Sequence, residues 1–263
     1  HHDASLEGLV VLDVEGIERS VGAVPLGAMK FAKTSIAAKE ENYHQLMETL
    51  LAKFSERCDA AGVRHTEFEM QGEPAEAILE ESNYFDCVVV GLRTFFTYES
   101  GAGKDGEYGT ADDEPGDSLE QIMKTTLAPV FAVPLNWKPD DHFSALIAHN
   151  GSPHSMRALR QFARLYGRTQ VSVSLMHCTD AADQSPEMLG KSAGFLRAHG
   201  FANVEVRTES GDIRDVMSAD YCEPFDLVVL GAHGKSGVVE FFTGSLCKDL
   251  IERGNKPLLI ANG

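Results

Sequence analysis

The 263 residues carry a formal net charge of −17, with Asp and Glu outnumbering Lys and Arg 40 to 23, a balance that repels a phosphate backbone and argues against a nucleic-acid partner. With 43% hydrophobic residues the chain can bury the core of one large domain or of two ordinary ones. Its apolar stretches, such as Val88 to Val90 and Leu127 to Leu135, fall far short of the roughly 20 residues that cross a bilayer, so no membrane association is expected.

Short runs rich in Val and Leu alternate with longer segments of helical period, the pattern of a parallel sheet with crossover helices. In chain order, Leu6 to Val14 reads as a buried strand and is followed by an amphipathic helix with Leu46, Leu50, Phe54 and Cys58 on one stripe. Val63 to Met70 is a strand leading into the pair Gly72-Glu73 and a short helical segment. Asp86 to Gly91 is a strand ending in glycine, and Pro129 to Val133 is a final strand. Pro134 to His142, rich in Pro, Asp and Asn and containing Trp137, reads as a linker. Beyond it come a strand from Phe143 to His149, a helix from Pro153 to Gly167 and a strand from Val171 to Asp180. A weaker helical stripe follows through Met188, Ser192, Phe195, Leu196 and His199. Val204 to Glu209 and Asp226 to Gly231 are strands, with Gly211-Asp212 and a helical segment between them. A helix through Leu246, Leu250 and Ile251 and a last strand from Pro257 to Ala261 close the chain.

The two halves form an internal repeat. Asp86-Cys87-Val88-Val89-Val90-Gly91 and Asp226-Leu227-Val228-Val229-Leu230-Gly231 are each preceded by Phe, and each follows a glycine-acid pair at a distance of 19 or 20 residues between glycines. From strand-end glycine to the last strand's proline there are 38 residues in the first half and 26 in the second, so the first half carries an insertion of 12. It also has no counterpart of the strand and helix that open the second half. A first strand of this kind is usually central, so either the sequence starts late or another chain supplies the piece. The predicted domains are residues 1–136 and 137–263.

After the strand ending at Leu230 come Gly231-Ala232-His233-Gly234, nine residues from Lys235 to Thr243, and Gly244-Ser245 opening a helix. Glycines let backbone N–H groups approach an anion without a Cβ in the way, and a helix N-terminus adds unpaired donors and the positive end of its dipole. Ser245 adds a hydroxyl. The same glycines could simply turn the chain.

These residues resemble the universal stress protein family, whose signature is G-x2-G-x9-G-[ST] after the fourth strand of a domain. Gly231, Gly234, Gly244 and Ser245 match it without a gap, and Gly231 to Gly237 reads like the family's loop G-[SA]-H-G-[RK]-S-G. The likeness covers essentially the whole chain. It implies two tandem α/β domains of adenine-nucleotide-binding type, each a five-stranded parallel sheet flanked by helices, the first lacking its first strand and helix. It also implies ATP bound through the loop's backbone, with Mg²⁺ on the phosphates, in a regulatory or protective rather than catalytic role. The nucleotide would meet Gly231, Ala232, Gly234, Gly244, Ser245 and Leu246, together with Ala148, His149 and Asn150 at the end of the domain's first strand. Asn150 stands where the family usually has Asp, so this position brings no charge and cannot act as a carboxylate metal ligand. Cys178 would be a wall against the adenine, not a nucleophile. Paired domains of this kind associate through their final strands, which implies an intrachain pseudo-dimer and a homodimer of tandem chains. In the first half Thr94 replaces the second glycine and Gly116-Asp117-Ser118 departs from Gly-Ser, so that copy of the site is expected to be lost.

Other patterns have plainer readings. Gly101 to Gly106 spells G-x-G-x-x-G but follows polar Tyr98-Glu99-Ser100 and precedes an acidic loop, not a helix. Asp112-Asp113-Glu114 lacks the alternation of a calcium loop, and Val229 stands where a P-loop needs its first glycine before Gly234-Lys235-Ser236. His149, His177 and His233 all fall at strand ends, yet no carboxylate with ligand spacing accompanies them, so no metal site is expected. No G-x-S-x-G elbow and no Cys-His signature is present, so no catalytic residue is assigned. Two alternatives remain: slow ATP hydrolysis assisted by His233 or a water near Lys235, and an interaction module that takes no nucleotide. Five cysteines, an odd number with no C-x-x-C pair, point to a reducing, cytoplasmic compartment.

Overall fold

A computed structural model of the chain describes residues 4–21, 27–92, 119, 122–123, 126–135, 137–138, 143–167, 170–179, 185–232 and 245–261. Its contacts divide the chain into two compact units, His1–Glu80 with Phe96–Gly101, and Glu81–Phe95 with Ala102–Gly263.

The first unit holds β1 (Ser5–Leu12), α1 (Val14–Ser20), α2 (Met29–Ala61), β2 (Arg64–Gln71) and all but the last two residues of α3 (Pro74–Ser82). β1 and β2 pair in parallel, from Ser5 opposite Arg64 to Leu12 opposite Gln71. Between β1 and α1 the buried Asp13 turns the chain, its Oδ1 accepting the Gly16 N–H at 2.7 Å; this caps the first turn of α1. α2 stops at Gly62, whose φ of 65° lies in the left-handed region that ends helices without a Cβ penalty. Leu12, Ile17 and Met47 form the core, with Val10, Val14, Ile36 and Tyr43 packed against it.

The expected stripe on α2 is only half right. Cys58 is buried and Phe54 is half-buried, but Leu46 and Leu50 are 49% and 48% exposed, and Met47 and Leu51 are buried in their place. The sequence Leu46-Met47 and Leu50-Leu51 offers two stripes one residue apart. The strand decides between them: the Phe54 ring lies so close over β1 that a Cβ at Gly8 would stand 2.6 Å from it, and this fixes the rotation of the helix.

The second unit holds β3 (Val88–Gly91), β4 (Val130–Val133), β5 (Ser144–Ala148), α4 (Pro153–Tyr166), β6 (Ser172–Cys178), α5 (Ser185–Ala198) and β7 (Val204–Glu209). It continues with α6 (Ile213–Val216), α7 (Ala219–Cys222), β8 (Leu227–Gly231), α8 (Ser245–Arg253) and β9 (Leu258–Ala261). The strands form one sheet in the order β3-β4-β9-β8-β5-β6-β7. β5 to β9 are mutually parallel, with β5 between β6 and β8. β4 joins β9 antiparallel, Val130 opposite Ile260, and β3 runs parallel to β4. The final strands of the two sequence halves thus pair directly. Among the described residues the first half supplies four strands and the second five.

The second-half strands are near-continuous apolar runs because helices cover the sheet. Ile147, Leu175 and Val229 of the sheet and Leu159, Phe162, Leu189 and Leu196 of α4 and α5 are all fully buried in one cluster. Trp137, expected in a linker, belongs to an aromatic series: Phe131, Trp137, Phe143 and Tyr166 lie in successive ring contacts of 6.0, 6.3 and 5.5 Å. Cys87 of the segment before β3 and Phe131 of β4 also pack against this core, which explains why both strands fall in the second unit.

Candidate functional site

The parallel pairing brings the carboxyl ends of β5, β6 and β8 to one edge of the sheet, the usual place for ligands in open α/β folds. Ala148 lies opposite Met176, two residues before Cys178, and Ile147 lies opposite Val229, two residues before Gly231. The His149 N–H continues the ladder to the Met176 carbonyl at 2.8 Å. Ala148, His149, Cys178 and Gly231 are thereby gathered, as the sequence led one to expect. Ala232 is buried beside them, its N–H bonded to Ala261 at 3.0 Å.

Asn150, Gly151 and Ser152 turn β5 into α4. The Asn150 Oδ1 accepts the Ser152 N–H at 3.1 Å, Gly151 sits at φ 75°, and the Ser152 hydroxyl caps α4 by accepting the Ser155 N–H at 3.3 Å. With its carbonyl oxygen used in this turn, Asn150 keeps its amide NH₂ as the group to offer a ligand, a donor where a carboxylate would accept.

Gly231 has a packing reason for being glycine that the sequence did not disclose. A Cβ there would stand 2.6 and 2.7 Å from the carbonyl carbon and oxygen of His154, in the first turn of α4. The end of β8 therefore runs directly beneath a helix backbone that no side chain could displace cheaply.

His149 is 2% exposed, and its Nε2 lies 2.9 Å from the Ser192 hydroxyl on α5. Its Nδ1 meets no group at full hydrogen-bond geometry, and the Ser155 backbone is what acts on that side of the ring. Burial lowers its pKa to about 4, against an opposing pull from the Ser155 backbone and with a further lowering from His177, so the imidazole is neutral at physiological pH. Burial likewise pushes the Cys178 thiol up to about 11, with Glu209 and Asp212 adding to the effect. A thiol held protonated in this way is a poor nucleophile.

Gly234, Gly244, His233 and Lys235 lie outside the described residues. Ser245 is the first residue of α8, which Cys247, Leu250 and Ile251 anchor in the core while Leu246 is half-buried. Among the described residues no group of three or more His, Cys, Asp or Glu is placed to hold a metal ion, and no helix is long and apolar enough to cross a membrane.

Beside His149 a cleft of about 580 Å³ opens between α4 and α5, lined by Gly151, Met156, Met188, Lys191, Ser192 and Phe195 as well. Sequence reasoning missed it as a cavity. Its only trace was the stripe through Met188, Ser192 and Phe195, which reads as ordinary helix packing until the partner helix is placed.

No family profile matches the sequence, and no curated protein matches it significantly. Solved structures do. A universal stress protein from Archaeoglobus fulgidus DSM 4304 is similar over 100% of this chain and 99% of its own, at 18% identity and a TM-score of 0.65. The chain has the universal stress protein fold. A putative universal stress protein from Pseudomonas aeruginosa UCBPP-PA14 is similar over 98% of this chain and 92% of its own, at 11% identity and a TM-score of 0.57. A protein of unknown function from Pseudomonas aeruginosa PAO1 covers the same shares at 13% identity and a TM-score of 0.53. At such identities the universal stress protein likeness carries the architecture, and function has to be argued from the strand ends.

Proposed function

We propose that the chain is a tandem universal stress protein, with domains at residues 1–136 and 137–263, whose second domain binds ATP or a related adenine nucleotide without catalytic turnover. The observation that carries this reading is the position of the motif. G-x2-G-x9-G-S begins at Gly231, the end of β8, and ends at Ser245, the start of α8. β8 lies next to β5, which supplies Ala148, His149 and Asn150. A glycine-rich segment between a strand end and a helix start presents backbone donors and the positive end of a helix dipole to phosphates. Asn150 offers no carboxylate, so Mg²⁺ would be held through the nucleotide's own phosphates. Among the described residues at the strand ends His149 is enclosed and its pKa is lowered to about 4, which leaves it a weak base and favours binding over hydrolysis. Its five free cysteines, four of them buried, suit a reducing, cytoplasmic setting. Occupancy would act through partner contacts, including a homodimer of tandem chains.

Calorimetric titration with ATP, ADP and AMP tests the reading. Binding with Kd between about 1 μM and 1 mM is expected, with loss of at least about tenfold in Gly234→Val, whose side chain would enter the phosphate-facing loop. No heat of binding for any of the three at millimolar ligand would overturn it.

A further inference from the structure

In the first unit the left-handed turn at Gly62 sends β2 back beside the last turns of α2. Two periodicities then meet. Ser55 and Asp59, four residues apart, share a face of α2, and His65 and Glu67, two apart, share a face of β2. Between the two elements the His65 Nε2 lies 3.0 Å from the Ser55 hydroxyl oxygen. Its Nδ1 lies 3.2 Å from the Val63 carbonyl and 4.0 Å from Asp59 Oδ1. A carbonyl only accepts, so Nδ1 carries the ring proton, and the neutral ring presents a bare, basic Nε2 to Ser55. The Phe54 ring stands edge-on to the imidazole, 5.6 Å between centroids at 86°, and holds its plane. The Glu67 carboxylate is a second acceptor against the same hydroxyl. Ser55 is half-buried, so its oxygen is held between two acceptors yet reachable from solvent.

A hydroxyl in contact with a base that is itself oriented by a third group is the arrangement of an activated nucleophile. Charge selects the donor: Asp59 and Glu67 beside the hydroxyl, on a chain of net charge −17, repel anions. We propose that Ser55 is an acyl-acceptor site, with His65 as its general base, for small neutral activated esters. In the step Oγ bonds to the acyl carbon as the bond to the leaving oxygen breaks. The hydroxyl proton passes to Nε2 and from there to the leaving group, which departs as an alcohol or phenol. The Asp59 carboxylate stabilises the imidazolium formed in passing. Ser55 lies in the interior of α2, where the neighbouring backbone N–H groups are engaged in the helix. An oxyanion formed there gains no such donor, so the ester is held and not turned over.

The test exposes the full chain to para-nitrophenyl acetate and maps the acetylated residues by peptide mass spectrometry. Ser55 should be acetylated at least about tenfold faster than the other serines of the chain. The dianion para-nitrophenyl phosphate should leave Ser55 unmodified. His65→Ala should slow acetylation of Ser55 at least about tenfold, and imidazole added to that variant should restore it, a response that a merely structural histidine does not give. Glu67→Gln should retain the reaction. Acetylation of Ser55 no faster than that of the other serines would overturn the proposal, and this comparison needs no variant, so it decides even if His65→Ala does not fold. Equal rates in folded His65→Ala and the wild type would overturn the role of His65, as would loss of the reaction in Glu67→Gln alone. Phosphorylation of Ser55 as fast as its acetylation would overturn the choice of a neutral donor.

Discussion

β3 and β8 carry almost the same sequence pattern, an aspartate, an apolar run and a terminal glycine, yet they end in different environments. β8 has β9 on one side and β5 on the other, whereas β3 has β4 on one side and stands last in the sheet. Val229 is fully buried, and its counterpart Val89 is 61% exposed. The aspartates diverge as well. Asp226 Oδ2 accepts both the backbone N–H and the hydroxyl of Ser144 at 2.8 and 2.9 Å, tying β8 to the start of β5. Asp86 instead forms an exposed ion pair with Arg164 on α4. The difference is β5, the strand that has no described counterpart in the first half. An apolar run records that a strand was built for a central place; the neighbour decides whether it occupies one.

The comparison can be broken most sharply at the terminal glycines. Gly231→Ala should destabilise the chain by about 3 kcal/mol, because the added methyl meets main-chain atoms of His154 at 2.6 Å and must displace α4 or β8. Gly91→Ala, at an exposed position on the outermost strand, should change stability by no more than about 0.5 kcal/mol. Urea unfolding of both variants measures this, and equal losses would show that the two strand ends are packed alike. The second test exploits β5 itself. His149, just past that strand, has a folded-state pKa of about 4 against an ordinary value of 6.5. The unfolded chain then binds more protons than the folded one between those values, so stability is full above about pH 6.5 and is lost as pH falls toward 4. The loss assigned to this group between pH 7 and pH 5 is roughly 2 kcal/mol. Subtracting the profile of His149→Gln isolates it, and parallel profiles would remove His149 as the cause.

Much of this was legible beforehand. The strands of the second half fall within about two residues of the runs that predicted them, since continuous Val, Leu and Ile segments bounded by Gly and Pro have few other ways to fold. The strand-end residues Ala148, His149, Cys178 and Gly231 could be placed together because a parallel repeat fixes which ends face the same way. What escaped the sequence was relational. The stripe on α2 was misjudged by one residue because Met47 and Leu51 are as apolar as Leu46 and Leu50, and only the contact of Phe54 with Gly8 settles the rotation. α1 was unforeseen, since its first residues continue the apolar run of β1 and its signal is one capping aspartate. Trp137 looked like linker because its ring partners lie on both sides of the linker in sequence. Gly231 suggested phosphate chemistry when it also has a steric duty toward α4, and the partner of the His149 Nε2 is Ser192 on α5, 43 residues away in sequence.

The smallest effect is also the cleanest measure of what β5 contributes. Val229→Ala removes two methyl groups from a site with no exposure and should cost about 2 kcal/mol, the transfer term plus a small cavity. Val89→Ala removes the same atoms from a site 61% exposed and should cost about 0.5 kcal/mol or less. The ratio of the two losses, read from urea midpoints at constant m-value, reports how far the environment of β3 falls short of that of β8. If Val89→Ala proves as costly as Val229→Ala, then in solution β3 has a neighbour on its outer edge, and hydrogen exchange at the Val89 amide would be slow to match. If the losses differ about fourfold, β3 stands as an edge strand, and the asymmetry between the halves is a property of the folded chain.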